Sequence, residues 1–130
     1  DGAMSGNSLD LFRQMSITAP LQRLRKNDRT VLVARDIFRM ATIGGAKALG
    51  MGEQTGSLEV GKWSDVVIFD AESIRHVPLH DPYATLVYSL QAADVKDVFI
   101  GGRRVVEEKN ITLADSGLIR EQAVNYIAGW

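Results

Sequence analysis

Residues 56–70, GSLEVGKWSDVVIFD, form the stretch that decides the fold, because helical periodicity stops there and strand periodicity begins. The residues before Gly61 indicate a short extended piece, and Gly61 itself indicates a turn. The run that follows, from Asp65 to Phe69, has the length and the β-branched composition of a buried strand. We therefore predict a β-hairpin with its turn at Gly61.

The same stretch nearly matches a phosphate-binding loop, since Gly56 to Lys62 fit the pattern G-x-x-x-x-G-K. Trp63 stands where that loop needs Ser or Thr to hold magnesium. A strand also follows where the loop needs a helix N-terminus. Nucleotide binding is therefore the weaker alternative to a simple hairpin.

Two helices are predicted upstream. In the first, Ser8 is the expected N-cap, apolar residues including Phe12 and Met15 recur at helical spacing, and Pro20 is expected to kink or divide the helix. The second is predicted from about Val33 to Leu49, with Gly50 or Gly52 ending it.

Gly44 and Gly45 lie inside the second predicted helix, where glycine lowers stability. We expect close packing against a neighbouring element to compensate for this cost.

Downstream, Asp81 and Pro82 are typical of a helix start, and the helix is predicted to reach Leu90. Residues 95–110, VKDVFIGGRRVVEEKN, place two glycines between strand-like runs, which predicts a tight hairpin.

Thr112 and Asp115 form a capping-box-like pair before a last amphipathic helix, whose apolar residues fall on one side. The predicted order is thus helix, helix, strands, helix, hairpin, helix. This order is that of an α/β chain with pieces of two layers, and it does not match a self-contained doubly wound sheet.

The composition excludes several classes of function. Fifteen basic and sixteen acidic residues give a net charge of -1, so we predict no nucleic-acid partner. The longest strongly apolar run, Val66 to Phe69, is too short to cross a bilayer, so no membrane association is expected. The absence of cysteine excludes thiol catalysis and fits a cytoplasmic protein.

His76 and His80 are the only histidines, and with Asp81 they make a metal site conceivable. Because Pro78 separates them in a loop-like stretch, hydrogen bonding within a loop is the preferred interpretation. The residues alone therefore provide no complete catalytic set.

Four stretches, taken together and in order, resemble the C-terminal end of the amidohydrolase superfamily, in its branch of cytosine-, guanine- and adenosine-type deaminases and chlorohydrolases. They are residues 1–12 (DGAMSGNSLDLF), 41–70 (ATIGGAKALGMGEQTGSLEVGKWSDVVIFD), 80–89 (HDPYATLVYS) and 95–110. The resemblance implies the last helices of a (β/α)8 barrel followed by strands of a flanking small β-sandwich. It divides the chain into residues 1–52 at the end of the barrel, 53–111 in the sandwich with an intervening helix, and 112–130 as a C-terminal helix.

The same resemblance implies a catalytic role for Asp1, as a metal ligand that also moves the proton of the attacking water. Ser5 and Asn7 are then expected in the loop over metal and substrate. The metal is expected to be divalent zinc or iron, and the substrate a small heterocycle with a C–N or C–Cl bond. The remaining ligands, a His-x-His pair and further histidines, are absent here, so the chain is expected to be the inactive tail of a longer enzyme.

Helices and strands separated from the rest of such an enzyme expose apolar faces and sheet edges. We therefore predict that the chain forms a homo-oligomer, or that the protein as prepared contains more residues than these. The alternative function is a non-enzymatic assembly or interaction module, in which the hairpin at Gly101 and Gly102 and the terminal helix form the partner surface.

Overall fold

The computed structural model describes residue 5 and residues 7–129, and its elements follow the predicted order. Helix α1 is Leu11–Lys26. Helix α2 has three consecutive segments, Ala34–Arg39, the π-helical Met40–Gly44, and Gly45–Ala48. Its total range, 34–48, lies one residue inside the prediction at each end.

The N-terminus of α1 differs from the prediction. Asp10 is the N-cap, because its carboxylate accepts hydrogen bonds from the backbone of Phe12 and Arg13. Ser8 Oγ instead accepts a bond from Asp10 N, at 3.1 Å. Pro20 neither ends nor divides α1. Pro20 itself is exposed, and it removes one backbone N–H from the hydrogen bonds of the helix.

Two glycines, one inside α2 and one in the loop after it, lie where a side chain would meet other atoms of the protein. A Cβ on Gly44 would lie 2.8 Å from the carbonyl oxygen of Arg39, in the π-helical turn of the same helix. The expected approach of a neighbouring element comes instead from Gly56, where a Cβ would lie 2.7 Å from Cβ of Ala46 and 2.9 Å from Cα of Ile43. The glycine that allows the close contact is therefore in the loop and not in the helix.

A four-stranded antiparallel sheet follows, in the order β1-β2-β3-β4. Its strands are β1 (Val66–Phe69), β2 (Val95–Ile100), β3 (Arg103–Glu107) and β4 (Asn110–Ile111). The hairpin between β2 and β3 is confirmed, since Gly101 and Gly102 have φ of 55° and 79°. The hairpin expected around Gly61 is wrong in part, because the residues before it form turns and β1 pairs with β2.

Helix α3 begins with Pro82–Ala84 and continues as the π-helical Thr85–Ser89, and the predicted cap Asp81 accepts a bond from Tyr83 N. Short 3-10 turns occupy Ile74–His76 and Ala92–Asp94. Together these segments bring the chain from β1 back to β2.

Helix α4 is Ser116–Ala128, and Asp115 alone provides its side-chain cap. Thr112 Oγ1 donates to the carbonyl of Arg104 instead, so the predicted capping pair is wrong. No residue of α4 is buried. Its apolar side is thus exposed.

The core lies between the first three helices. Met15 and Ala19 of α1, Ile37 of α2 and Val87 of α3 are buried together. Phe12 and Phe38 pack against the edge of this cluster. Within the described part of the chain, no helix is both long enough and apolar enough to span a bilayer.

Candidate functional site

The candidate site is the segment that leads into α1. Asp1 lies outside the described residues, so its role stays a prediction. Ser5 and Asn7 are both exposed, and Asn7 has a left-handed φ of 51°, a conformation that asparagine tolerates better than most residues. Ser5 is in a helical conformation and Asn7 in a turn, and the exposure of both side chains leaves them available to another part of a protein or to a ligand.

The end of this segment is fixed by hydrogen bonds. Oδ1 of Asp10 accepts from Phe12 N at 2.9 Å and from Arg13 N at 3.2 Å. A groove of about 410 Å³ runs beside it, between the first turns of α1 and residues 88–93. The loop therefore enters a rigid helix next to an open surface.

The described residues do not fit a complete metal site. Over residue 5 and residues 7–129, no three His, Cys, Asp or Glu side chains are grouped closely enough to hold an ion. His76 is buried, at 3% exposure, whereas His80 is exposed. The alternative of a metal site at the histidines with Asp81 is therefore wrong.

His76 instead lies against a buried carboxylate. Its Nε2 is 3.4 Å from Oδ2 of Asp94, which is itself 3% exposed. Asp94 also forms an ion pair with Arg75 and accepts a bond from Gln91 N at 2.9 Å. This cluster joins the 3-10 turn after β1 to the 3-10 turn before β2.

Burial raises the pKa of Asp94, but the Gln91 N–H and the charges of Arg75 and His76 lower that pKa more, so it lies below its ordinary value of 3.8. A lowered pKa means that the ionised carboxylate stabilises the fold at pH values above its ordinary pKa. This contribution is lost as the pH falls through the pKa of the folded state. We expect Asp94→Asn to lower the free energy of unfolding at neutral pH by about 1–2 kcal/mol and to flatten its decline below about pH 4.

Urea unfolding of the 130-residue chain across acid pH measures this effect. Glu72→Gln, which neutralises an exposed carboxylate nearby, serves as the control. Equal acid sensitivity of Asp94→Asn and the unaltered chain would contradict the assignment.

The nucleotide alternative is contradicted at Lys62. Its Nζ donates to the carbonyl of Gly52 and to Oγ of Ser57, both at 2.7 Å, and lies 3.4 Å from a carboxylate oxygen of Glu59. The ammonium group is thus surrounded by acceptors of its own loop. The chain then continues into β1 rather than into a helix, so the cradle for phosphate is not formed.

Sequence reasoning missed a second buried carboxylate. Asp97 of β2 is 5% exposed and accepts bonds from Arg104 Nη2 at 2.8 Å and from Glu108 N at 2.9 Å. The Glu108 N–H bond outweighs burial and, with Arg104, holds the pKa of Asp97 below its usual range. The one available signal was Asp97 itself, a charged residue that directly follows Lys96 in a strand-like run. Its role is structural, since it ties β2 to β3 and to the turn after β3.

Comparison with known proteins provides the family. The model of the Amidohydrolase family matches residues 1–105. The 5-methylthioadenosine/S-adenosylhomocysteine deaminase of Syntrophobacter fumaroxidans is 39% identical over 128 residues, which are 98% of this chain and 29% of the relative. The chain thus spans less than a third of the length of this relative.

Solved structures give the same result. An adenosine deaminase from Xanthomonas campestris with bound zinc matches 98% of this chain and 29% of its own, with a TM-score of 0.93 and 35% identity. Atrazine chlorohydrolase from Arthrobacter aurescens, complexed with zinc, matches 88% of this chain and 25% of its own, with a TM-score of 0.78 and 27% identity. The α/β fold and the match to about a quarter of these structures are as expected for a C-terminal piece. The chain belongs to the amidohydrolase family.

Proposed function

We propose that this chain is the C-terminal part of a metal-dependent amidohydrolase whose full-length form deaminates a purine nucleoside. The observation that supports this proposal most strongly is the similarity, over nearly the whole chain, to enzymes named as deaminases of adenosine compounds. In such a reaction water adds to the ring carbon that bears the amino group. A C–O bond forms, the exocyclic C–N bond breaks, and ammonia leaves.

We assign Asp1 as a ligand of the metal and as a carrier of protons during the reaction. Ser5 and Asn7 are assigned to the substrate side of the same loop, because their exposure leaves them free to face another part of the enzyme. The metal is a divalent ion, zinc or iron, and zinc is the ion in two similar structures. Since the described residues hold no ligand cluster, the other ligands come from a longer parent.

The exposed surfaces support a longer parent. Helix α4 has no buried residue, and within the described chain the outer edge of β1 has no strand beside it. We propose that these surfaces pack against the remainder of the enzyme. We also propose that the complete enzyme associates with a second copy of itself. The division at 1–52, 53–111 and 112–130 then corresponds to barrel end, sandwich and C-terminal helix, in a parent that we place in the cytoplasm.

A second candidate is removal of chloride from a heterocycle. The similarity to atrazine chlorohydrolase favours it, although identity and coverage are lower than for the adenosine deaminase. Water would then replace chloride, with a C–Cl bond broken and a C–O bond formed.

The full-length parent tests both candidates. We expect it to release ammonia from 5′-methylthioadenosine or adenosine and no chloride from atrazine, while the 130-residue chain alone releases neither. Chloride release without ammonia release would favour the second candidate. A parent that releases neither product when supplied with zinc or iron would leave the non-enzymatic assembly module as the better explanation.

A further inference from the structure

One aromatic contact joins the end of β1 to the beginning of α1. The rings of Phe12 and Phe69 meet edge to face, with centroids 5.4 Å apart and planes at 89°. Phe12 lies in the first turn of α1, shortly after the turn at Asn7. A residue of the sheet, distant in sequence, therefore contacts the helix to which the candidate loop is attached.

The sheet is irregular at this contact. Ile68 pairs with Asp97, but Phe69 pairs with Val95, so Lys96 is an extra residue in β2. The carbonyl of Lys96 accepts a bond from Lys109 N at 2.8 Å, which leaves the bulge hydrogen-bonded on its other side. Bulges change the direction of neighbouring side chains and are frequent beside active sites. Here the bulge lies at the residue that reaches α1.

The connection from Phe12 to the loop is also held. Asp10 accepts a bond from Phe12 N at 2.9 Å, and Ser8 Oγ accepts one from Asp10 N at 3.1 Å. The backbone from Ser8 to Phe12 is thus a sequence of short hydrogen-bonded turns. A shift of the Phe12 ring would move the point at which the loop leaves the helix.

We propose that Phe69 is a positioning residue for the reaction, acting through Phe12 on the segment that carries Asn7 and leads into α1. The proposal rests on the deaminase function above. Its physical basis is that catalytic groups must be held closely, since a misplacement of about 1 Å can lower a rate by about 100-fold. An aromatic pair between two elements provides such a constraint because its preferred edge-to-face geometry fixes the two rings relative to each other.

The chain provides a matched control in a second aromatic pair. Phe38 of α2 and Tyr83 of α3 are 5.8 Å apart at 60°, and neither follows the candidate loop. Phe69→Leu and Phe38→Leu each remove one ring from a half-buried aromatic pair. Their effects on stability should therefore be similar, and their effects on the loop should differ.

In the full-length parent we expect Phe69→Leu and Phe12→Leu each to lower kcat about tenfold or more, with a smaller change in KM. The double variant should be no slower than the single ones, because both act through the same contact. Phe69→Tyr should retain the kcat of the unaltered parent. Phe38→Leu should have a kcat within about twofold of that of the unaltered parent. Equal losses of kcat in Phe69→Leu and Phe38→Leu, or no loss in Phe69→Leu, would overturn the proposal.

Hydrogen exchange in the 130-residue chain gives a readout that needs no activity. Amides of residues 7–13 should exchange faster in Phe69→Leu than in Phe38→Leu when the two are compared at equal stability. Equal exchange would contradict the mechanical link. An inactive unaltered parent would contradict the deaminase function alone, and exchange would then decide whether Phe69 holds the loop.

Discussion

Asp1→Asn in the full-length parent is expected to lower kcat/KM for deamination by about 10³-fold or more, because a group that transfers protons contributes about 10²–10⁴-fold and the same carboxylate is the proposed metal ligand. The asparagine amide keeps nearly the same size but has no basic oxygen with which to take a proton. Metal content, measured by elemental analysis, should fall with the activity.

Asp115→Asn is the control for loss of one negative charge. Asp115 caps α4 through bonds to Gly117 N and Leu118 N, and asparagine is an equally good N-cap. This variant should retain full activity and metal content. Comparable losses in both variants, or an Asp1→Asn parent with normal kcat/KM, would remove Asp1 from the proposed site.

Gly56→Ala is expected to be the most destabilising single substitution that the fold indicates. The new Cβ would lie 2.7 Å from Cβ of Ala46 and 2.9 Å from Cα of Ile43, and φ at Gly56 is +90°. Forcing a methyl group into a filled space costs about 1–3 kcal/mol, and the positive φ adds about 1–2 kcal/mol. We expect the free energy of unfolding to fall by about 2–5 kcal/mol, measured by urea unfolding of the 130-residue chain.

Gly61→Ala separates the two terms of this loss. Gly61 has a similar φ of +96°, but nothing lies within 4 Å of its Cβ position. Only the conformational cost remains, so its loss should be about 1–2 kcal/mol. Similar losses in the two variants would show that the contact with α2 contributes nothing.

The candidate site could be predicted only through its resemblance to a family. Asp1, Ser5 and Asn7 came from the first stretch of the chain, and the family is confirmed, whereas the individual roles of these residues stay predictions. The contact between Phe12 and Phe69 could not be predicted. The alternation of residues along a strand indicates which side of the sheet a side chain lies on only when the strand pairing is regular. The register between β1 and β2 shifts at Phe69, and no local signal in the sequence marks this bulge.

The sequence by itself determined the features that depend on neighbouring residues. Asp81 and Pro82 define the start of α3 through one side-chain bond and one fixed φ, and Gly101 with Gly102 defines a hairpin through two positive φ values. The order of elements follows from the same local signals, since each depends on residues only a few positions apart.

Only the tertiary structure decided which of several local options is realised. Pro20 remains within α1 at an exposed position, and Gly56 is required because α2 approaches its backbone. Asp94 is buried because Arg75 and the Gln91 N–H lie beside it. The same reason applies to all three residues. Burial depends on groups that the fold brings together from distant parts of the chain. The effect of a proline, a Cβ or a carboxylate on the free energy of folding therefore depends more on those groups than on its sequence neighbours.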